Sequence, residues 1–242
     1  RKRLLLICFA LFALATLAPA PLIAAGALFG GPWPWVALAC CGALWVVLDA
    51  LAAGAAENAP EGAEFPAAGA LSVALGLLHF ALLALSVAAV AGATGLRPAG
   101  RIALFFAAGL YLGQVSNANA HELIHRPGRG LFRLGATVYA ALLFGQHTSA
   151  HRLVHHRAVA TPDDPNSARN GETFYRFARR AWIGSFRAGL RAETALRSRT
   201  AKGLHPYAIS LATSAAALLL ASLIAGLPGL LAWTGLSLHA QS

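Results

Sequence analysis

Six of the nine histidines lie in two clusters between His121 and His156. The first cluster reads HELIH at 121–125. The second cluster consists of His147, His151, His155 and His156. A neutral imidazole offers a lone pair at physiological pH and is the commonest metal-ligand side chain. Residues four apart share one face of a helix, so both histidines of the first cluster can bind one ion, as can His151 and His155. The sequence therefore predicts a metal site.

The first cluster alone is ambiguous, because it also matches the HExxH pattern of zinc proteases, which supplies two ligands and a glutamate base. That short pattern leaves the second cluster unexplained. A mononuclear catalytic zinc takes three protein ligands and one water, whereas five or six histidines suit a pair of ions. An all-nitrogen ligand set is compatible with Fe, Zn, Cu or Ni, so the spacing alone does not identify the metal.

The composition places these clusters in a membrane protein. Hydrophobic residues make up 57% of the chain and charged residues 12%, whereas soluble domains carry about 25% charged residues. We predict an all-α, polytopic membrane helical bundle that forms a single membrane domain over 1–242, with about six transmembrane helices. The predicted spans are 4–30, 34–56, 67–94, 101–120, 207–227 and a partial span at 229–242.

The charge distribution predicts the orientation. Fourteen of the nineteen Lys and Arg residues lie between Arg126 and Lys202. Next to membrane spans, such a cluster is typical of a cytoplasmic segment that contacts anionic lipid, and we expect no nucleic acid partner. The histidine clusters and the basic segment 121–206 are then cytoplasmic.

Residues 172–199 have the pattern of a basic amphipathic helix. The predicted apolar face is Phe174, Phe177, Ala178, Ala181, Trp182, Ser185 and Gly189. The predicted basic face is Arg176, Arg180, Arg187 and Arg191. Such a helix is suited to lying on a membrane surface, and the alternative is that it docks on the protein's own bundle.

Three segments carry a resemblance to a known family. HELIHR at 121–126 resembles the first histidine box of the membrane alkane hydroxylases, which belong to the membrane di-iron desaturases and hydroxylases. HRLVHH at 151–156 resembles their second box. The sequence RAVATPDDPNSAR at 157–169 resembles the alkane hydroxylase branch in particular.

The resemblance implies an alkane 1-monooxygenase-like enzyme with two iron ions at the cytoplasmic side of a bacterial inner membrane. It implies O₂ activation, hydroxylation of a terminal C–H bond in an alkane-like substrate, and electrons from rubredoxin or ferredoxin. The iron ligands that it implies are His121, His125, His151, His155 and His156.

Four further residues are candidates for holding those ligands in place: Glu122, His147, Asp163 and Asp164. A carboxylate that accepts a hydrogen bond from a ligand histidine fixes the orientation of its ring. Asp49 and His79 lie inside predicted spans, where ionisable groups are costly, and they have no assigned role.

The chain begins at Arg1, contains no Met and stops within an apolar stretch. We therefore expect a fragment that lacks the family's third histidine box and is inactive by itself. Three alternatives remain open at this point. They are a fatty-acid or aromatic side-chain hydroxylase or desaturase of the same family, an intramembrane HExxH zinc metalloprotease, and a non-catalytic metal-binding membrane protein.

Overall fold

A computed structural model describes residues 2–54, 67–200 and 203–241. It is 81% helical, and no strand occurs among these residues, which confirms the predicted all-α class. The α-helices in chain order are α1 Lys2–Leu17, α2 Pro19–Phe29, α3 Trp33–Gly54, α4 Ala68–Ala91, α5 Pro98–Tyr111, α6 Ala118–His125, α7 Arg129–Ala141, α8 His147–Ala150, α9 His156–Ala158, α10 Phe174–Thr200 and α11 Pro206–His239. Two π-helical segments, Leu112–Asn117 and His151–His155, join α5 to α6 and α8 to α9.

Four helices in the described part of the chain are long and apolar enough to cross a membrane: Phe9–Phe29, Ala68–Ala91, Pro98–His125 and Pro206–His239. A shorter apolar helix covers Trp33–Ala43. The end of the predicted second span, 55–56, and the last residue of the predicted partial span, 242, lie outside the described residues. The length and apolar character of the four helices make this a membrane protein.

The first histidine cluster belongs to the last turns of a membrane helix, whereas the sequence predicted that it comes after the end of that helix. The prediction ends the fourth span at residue 120, whereas α5, the first π-helical segment and α6 form one helix of 28 residues, Pro98–His125. The helix ends where Arg126 becomes extended, with φ of −72° and ψ of 141°. Pro127 follows, and a proline disfavours helical angles in the residue before it.

α11 consists of two helices joined by a sharp reversal. Ala225 and Gly226 are non-helical, and Gly226 has φ of 58° and ψ of −138°, a region open essentially to glycine. A Cβ atom on Gly229 would overlap the carbonyl oxygen of Ala221. Residues eight apart in a straight helix are separated by about 12 Å, so the chain folds back on itself here. The boundary between the predicted spans 207–227 and 229–242 therefore falls at Ala225–Gly226.

The half of α11 that follows the reversal packs against α5 and the π-helical segment after it. A Cβ atom on Gly235 would lie 3.2 Å from the ring of Phe105, and one on Gly113 would lie 3.0 Å from the carbonyl oxygen of Ala240. The contacts advance in the same direction along both helices, so the two run parallel.

The chain forms two compact units. Unit 1 contains the residues up to Val138 together with those from Leu218 onward, and unit 2 is Tyr139–Ala217. In unit 1, α2, α3, α4 and α5 pack against one another. In unit 2, α10 packs against α8 and the second π-helical segment.

The small residues of the predicted apolar face of α10 are buried by protein within unit 2, whereas Phe174 at its start is 55% exposed. A Cβ atom on Gly189 would overlap the Tyr207 hydroxyl and lie 2.9 Å from Cβ of Ala150. Ala181 and Ser185 on the same face are also buried. This part of the face follows the alternative of docking on the protein's own bundle, because its small residues let α10 approach its own unit closely, and contact of the remaining face with a membrane surface stays a prediction.

Candidate metal centre

The first cluster lies at the end of α6, and this helix is closely packed within unit 1. The rings of His121 and His125 are exposed, with centroids 4.8 Å apart, as expected for residues one helical turn apart. Between them in sequence, Leu123 and Ile124 are fully buried. Gly135 of α7 passes so close that a Cβ atom there would lie 2.8 Å from Cβ of Leu123. The close packing of α7 fixes the helix that presents both imidazoles.

Glu122, between those histidines, turns to a different partner. Arg126 Nη2 donates to Glu122 Oε1 at 2.9 Å, and the Glu122 side chain is 53% exposed. This is an i, i+4 ion pair on a helix surface, a contact that usually contributes little to stability. The geometry gives Glu122 no hydrogen bond to a histidine.

The histidines of the second cluster stack on one another. His147, His151 and His155 lie one turn apart, and successive ring centroids are separated by 4.9 Å and 5.2 Å with planes within 28° of parallel. Phe144 extends the stack, since its ring lies 4.8 Å from that of His147 at an interplanar angle of 15°. His147 thus contacts one ring face of His151, and its supporting role stays a prediction.

A left-handed residue sets the start of this stack. Leu143, just after α7, has φ of 59°. The Phe144 N–H donates to the Tyr139 carbonyl at 2.8 Å, which closes the end of α7. Glycine usually occupies the left-handed position in such a helix ending, so a leucine there is strained.

The second π-helical segment changes which histidines face each other. Spacing predicts that His151 pairs with His155. In the structure the His156 N–H donates to the His151 carbonyl, five residues back, and the Nε2 atoms of the same two residues lie 2.9 Å apart. A wider turn aligns residues five apart, whereas an α-helix aligns those four apart. The facing pair is therefore His151 and His156.

Asp164 fixes the ring of His155 by a hydrogen bond at Nδ1. Nδ1–H of His155 donates to Oδ2 of Asp164 at 2.8 Å, and Asp164 is only 2% exposed. Because an ionised carboxylate accepts only, this bond selects the neutral tautomer of His155 that carries its proton on Nδ1 and its lone pair on Nε2. Asp163, the neighbouring candidate, is exposed. The structure therefore places Asp164, of the two predicted aspartates, beside a candidate ligand.

The nitrogen geometry of the second cluster fits a transition metal. Two nitrogens bound at adjacent positions of one octahedral ion, with bonds of about 2.1 Å, are separated by about 3 Å. His151 Nε2 and His156 Nε2 lie 2.9 Å apart, where one ring donates an N–H to the other, and this distance is also close to that ligand spacing. A ligand histidine in a metalloprotein usually donates its other N–H to a carboxylate or carbonyl, as His155 does with Asp164. The donor set is composed of imidazoles, which suit iron and equally zinc, copper or nickel.

Two residues near the second cluster were missed from the sequence, Glu172 and Arg180. Arg180 was placed on the exposed basic face of α10, but its guanidinium bonds Glu172, with Nη2 and Oε2 2.6 Å apart. Arg176, Arg187 and Arg191 on that face are exposed as predicted. An acidic residue eight positions before an arginine carries no periodic signal, so this pair could not have been selected from the sequence.

The unassigned ionisable residues lie elsewhere. His79 is fully buried in α4, with its ring 5.1 Å from that of Phe80. The side chain of Asp49 is outside the described part of the structure. Both residues therefore stay without an assigned role.

Comparison with known proteins identifies the family. The family model described as fatty acid desaturase matches residues 97–241, more than half of the chain. Alkane 1-monooxygenase 2 of Pseudomonas aeruginosa is 28% identical over 185 residues, which are 74% of this chain and 48% of that relative. Alkane 1-monooxygenase 1 of the same bacterium is 35% identical over 105 residues, or 43% and 27% of the two chains. The alkane 1-monooxygenase of Acinetobacter baylyi is 35% identical over 83 residues, or 34% and 20%.

The matched region thus spans at most about half the length of these curated relatives. The region matched by the family model, residues 97–241, contains both histidine clusters, the helices that present them and the loop that carries Asp164. The family match confirms the resemblance predicted from the two boxes, and the chain belongs to the fatty acid desaturase family, with alkane 1-monooxygenases among its relatives.

Proposed function

We propose that this chain supplies part of the iron centre of a membrane di-iron monooxygenase that hydroxylates terminal C–H bonds of alkanes or similar apolar substrates. The observation that carries the proposal is the second cluster, in which two imidazole nitrogens lie 2.9 Å apart and a third imidazole is oriented by a buried carboxylate. A mononuclear HExxH zinc site would need no such second set.

The proposed ligands are His121, His125, His151, His155 and His156. When bound, iron supplies the redox chemistry that reduces O₂ with two electrons and two protons, so that one oxygen atom enters the substrate and the other leaves as water. The chain's own residues hold and orient the imidazoles that would bind the iron. Asp164 fixes the ring of His155, and the face of His147 limits movement of His151.

The apolar spans and the names of the relatives both favour an apolar substrate. The four candidate spans are apolar, so a hydrocarbon dissolved in the bilayer has direct access to the protein. An alkane offers no hydrogen-bonding group, and its orientation must therefore come from the shape of an apolar channel. The relatives are named alkane 1-monooxygenases, which favours alkanes over fatty acids or aromatic side chains.

The electron donor and location are proposed with the reaction. We propose rubredoxin or ferredoxin as the donor, because the reaction consumes two electrons that the chain's own side chains do not provide. Fourteen Lys and Arg residues between Arg126 and Lys202 favour a cytoplasmic position for the second cluster. A bacterial inner membrane fits the bacterial origin of the relatives.

The test is metal analysis of the full-length protein, followed by turnover of a medium-chain alkane with O₂ and a reduced rubredoxin. We expect about two irons per chain and formation of the terminal alcohol. One zinc per chain with no iron would overturn the proposal. His155→Ala and His156→Ala separate the two chemistries, because hydroxylation should be lost in both, whereas an HExxH protease should be unaffected. A preference for a fatty acid or an alkylbenzene would keep the reaction and change the substrate.

A further inference from the structure

The loop between α9 and α10, residues 159–173, carries Asp164 without regular secondary structure of its own. Asp164 shapes the middle of that loop. Its Oδ1 accepts the Asn166 N–H at 2.9 Å, and its Oδ2 accepts both Nδ1–H of His155 at 2.8 Å and the Ser167 hydroxyl at 3.3 Å. The position of this carboxylate therefore depends on how the loop is held.

Arg180 of α10 holds the loop at two places. Its Nη1 donates to the Pro165 carbonyl at 2.9 Å, and its Nη2 donates to the Ser167 carbonyl at 2.9 Å. Its Nε donates to Glu172 Oε1 at 2.8 Å, and Nη2 also donates to Glu172 Oε2 at 2.6 Å. One guanidinium thus ties the residues immediately after Asp164, and the end of the loop, to one point on α10.

This contact requires an arginine. A guanidinium presents five N–H donors in a rigid fork that matches a carboxylate in a bidentate manner, whereas an ammonium is a single point of charge. The pair is also partly shielded, with side-chain exposures of 26% for Arg180 and 8% for Glu172. Arg179, one residue earlier on α10, is exposed and offers a matched comparison.

Close packing limits any movement of the loop. A Cβ atom on Gly184 would lie 2.9 Å from Cβ of Pro165, and the Ser185 hydroxyl donates to Oδ1 of Asn166 at 3.1 Å. These contacts lie at Pro165 and Asn166, within the stretch bounded by the two carbonyl groups to which Arg180 donates. The segment that presents the Asp164 carboxylate is therefore seated on α10 and fastened there by Arg180.

We propose that the Glu172–Arg180 pair positions the loop so that Asp164 stays hydrogen-bonded to His155, and thereby sets the orientation of that imidazole toward its metal. Arg180 and Glu172 are positioning residues, since they act through Asp164. The inference rests on the proposed function only in taking His155 as a metal ligand, and it does not depend on which substrate is oxidised.

The experiment measures metal binding directly in the full-length protein. Co(II) is titrated into metal-free wild type and into Arg180→Ala, Arg180→Lys, Glu172→Gln and Arg179→Ala, and the visible absorption of the bound ion is recorded. We expect Arg180→Ala to weaken Co(II) binding about tenfold and to change the absorption bands, since removing groups that support ligands typically costs 10- to 100-fold. Arg180→Lys should recover little of this loss. Arg179→Ala should stay within about twofold of wild type, although it removes the same charge.

The pathway is tested by combining Arg180→Ala with Asp164→Asn. If Arg180 acts through Asp164, the double variant binds Co(II) no more weakly than Asp164→Asn alone. Additive losses, or an Arg180→Ala spectrum and affinity equal to those of Arg179→Ala, would overturn the proposal. Should Arg180→Ala fail to fold, Glu172→Gln keeps the side-chain volume and carries the same expectation. A wild type that binds Co(II) but never hydroxylates an alkane would count against the proposed function and leave this inference to stand or fall on the titrations.

Discussion

The two histidine clusters both present imidazole nitrogens, but different structural contacts hold those imidazoles in place. The first is an ordinary α-helical pair, His121 and His125, on the exposed last turns of a long helix. The second uses a π-helical turn, a stack of rings, a buried carboxylate and an arginine on another helix. In the first, helical spacing aligns the two imidazoles, and the packing of α7 fixes only the helix as a whole. The second depends on contacts from outside its own helix, so it has more positions at which a substitution can weaken the site.

The largest effects are expected at the proposed histidine ligands, where the two clusters should behave alike. His125→Ala and His156→Ala should each lower alkane hydroxylation at least about 100-fold and reduce the iron content, because losing a ligand costs more than losing a group that supports one. The measurements are product formation and iron per chain. His205→Asn, outside both clusters, is the control. Near-normal activity of His125→Ala would show that the first cluster is not part of the centre.

The next largest effect should distinguish the two clusters, because the acidic residue next to each has a different partner. Asp164→Asn replaces a buried carboxylate bonded to His155, and we expect metal affinity to fall about 10- to 100-fold. Glu122→Gln changes an exposed residue paired with Arg126, and we expect less than a twofold change. Metal titration of both variants gives the comparison. Equal losses would mean that the clusters are supported in the same way.

His147 tests whether ring stacking alone supports the second cluster. His147→Phe keeps an aromatic face between Phe144 and His151, so metal affinity should change by less than about threefold. His147→Ala removes that face and should lower both affinity and melting temperature. If His147→Phe lost metal as completely as His151→Ala, His147 would be a ligand and the stacking interpretation would be wrong.

The smallest expected effect is a pH dependence of the unfolding free energy that comes from the Glu172–Arg180 pair near the second cluster. Hydrogen bonds from Arg180 lower the pKa of Glu172 from 4.5 to about 2. A carboxylate with a lowered folded-state pKa stabilises the fold above its unfolded pKa, and that contribution is lost as the pH falls toward the folded value. The difference in unfolding free energy between wild type and Glu172→Gln should therefore shrink by about half between pH 6 and pH 3. A constant difference across this range would contradict the ion pair.

Much of the first cluster could be predicted from the sequence, because its geometry follows from helical periodicity. His121 and His125 are four apart, and α6 places them one turn apart as expected. The all-α class and the family also followed from composition and from the two boxes. These features are local, and local patterns are what a sequence displays most directly.

The second cluster could be predicted only in part. A π-helical turn has no composition that distinguishes it from an α-helical one, so the pairing of His151 with His156 was not foreseen. The role of Arg180 depends on the path of a 15-residue loop, which fixes where its carbonyl groups lie. The reversal in α11 was expected near residue 228, where the predicted spans 207–227 and 229–242 meet, but its position at Gly226 depends on a glycine conformation.

Leu143 has a consequence for anyone who evolves this protein in the laboratory. A non-glycine residue in the left-handed region costs about 1–2 kcal/mol, and Leu143 has φ of 59° immediately before the ring that begins the histidine stack. A selection for heat resistance would favour Leu143→Gly or Leu143→Asn, since both residues accept that conformation readily. Glycine would also loosen the chain next to Phe144. This position is therefore where selection for thermal tolerance and selection for a rigid metal site would favour different residues.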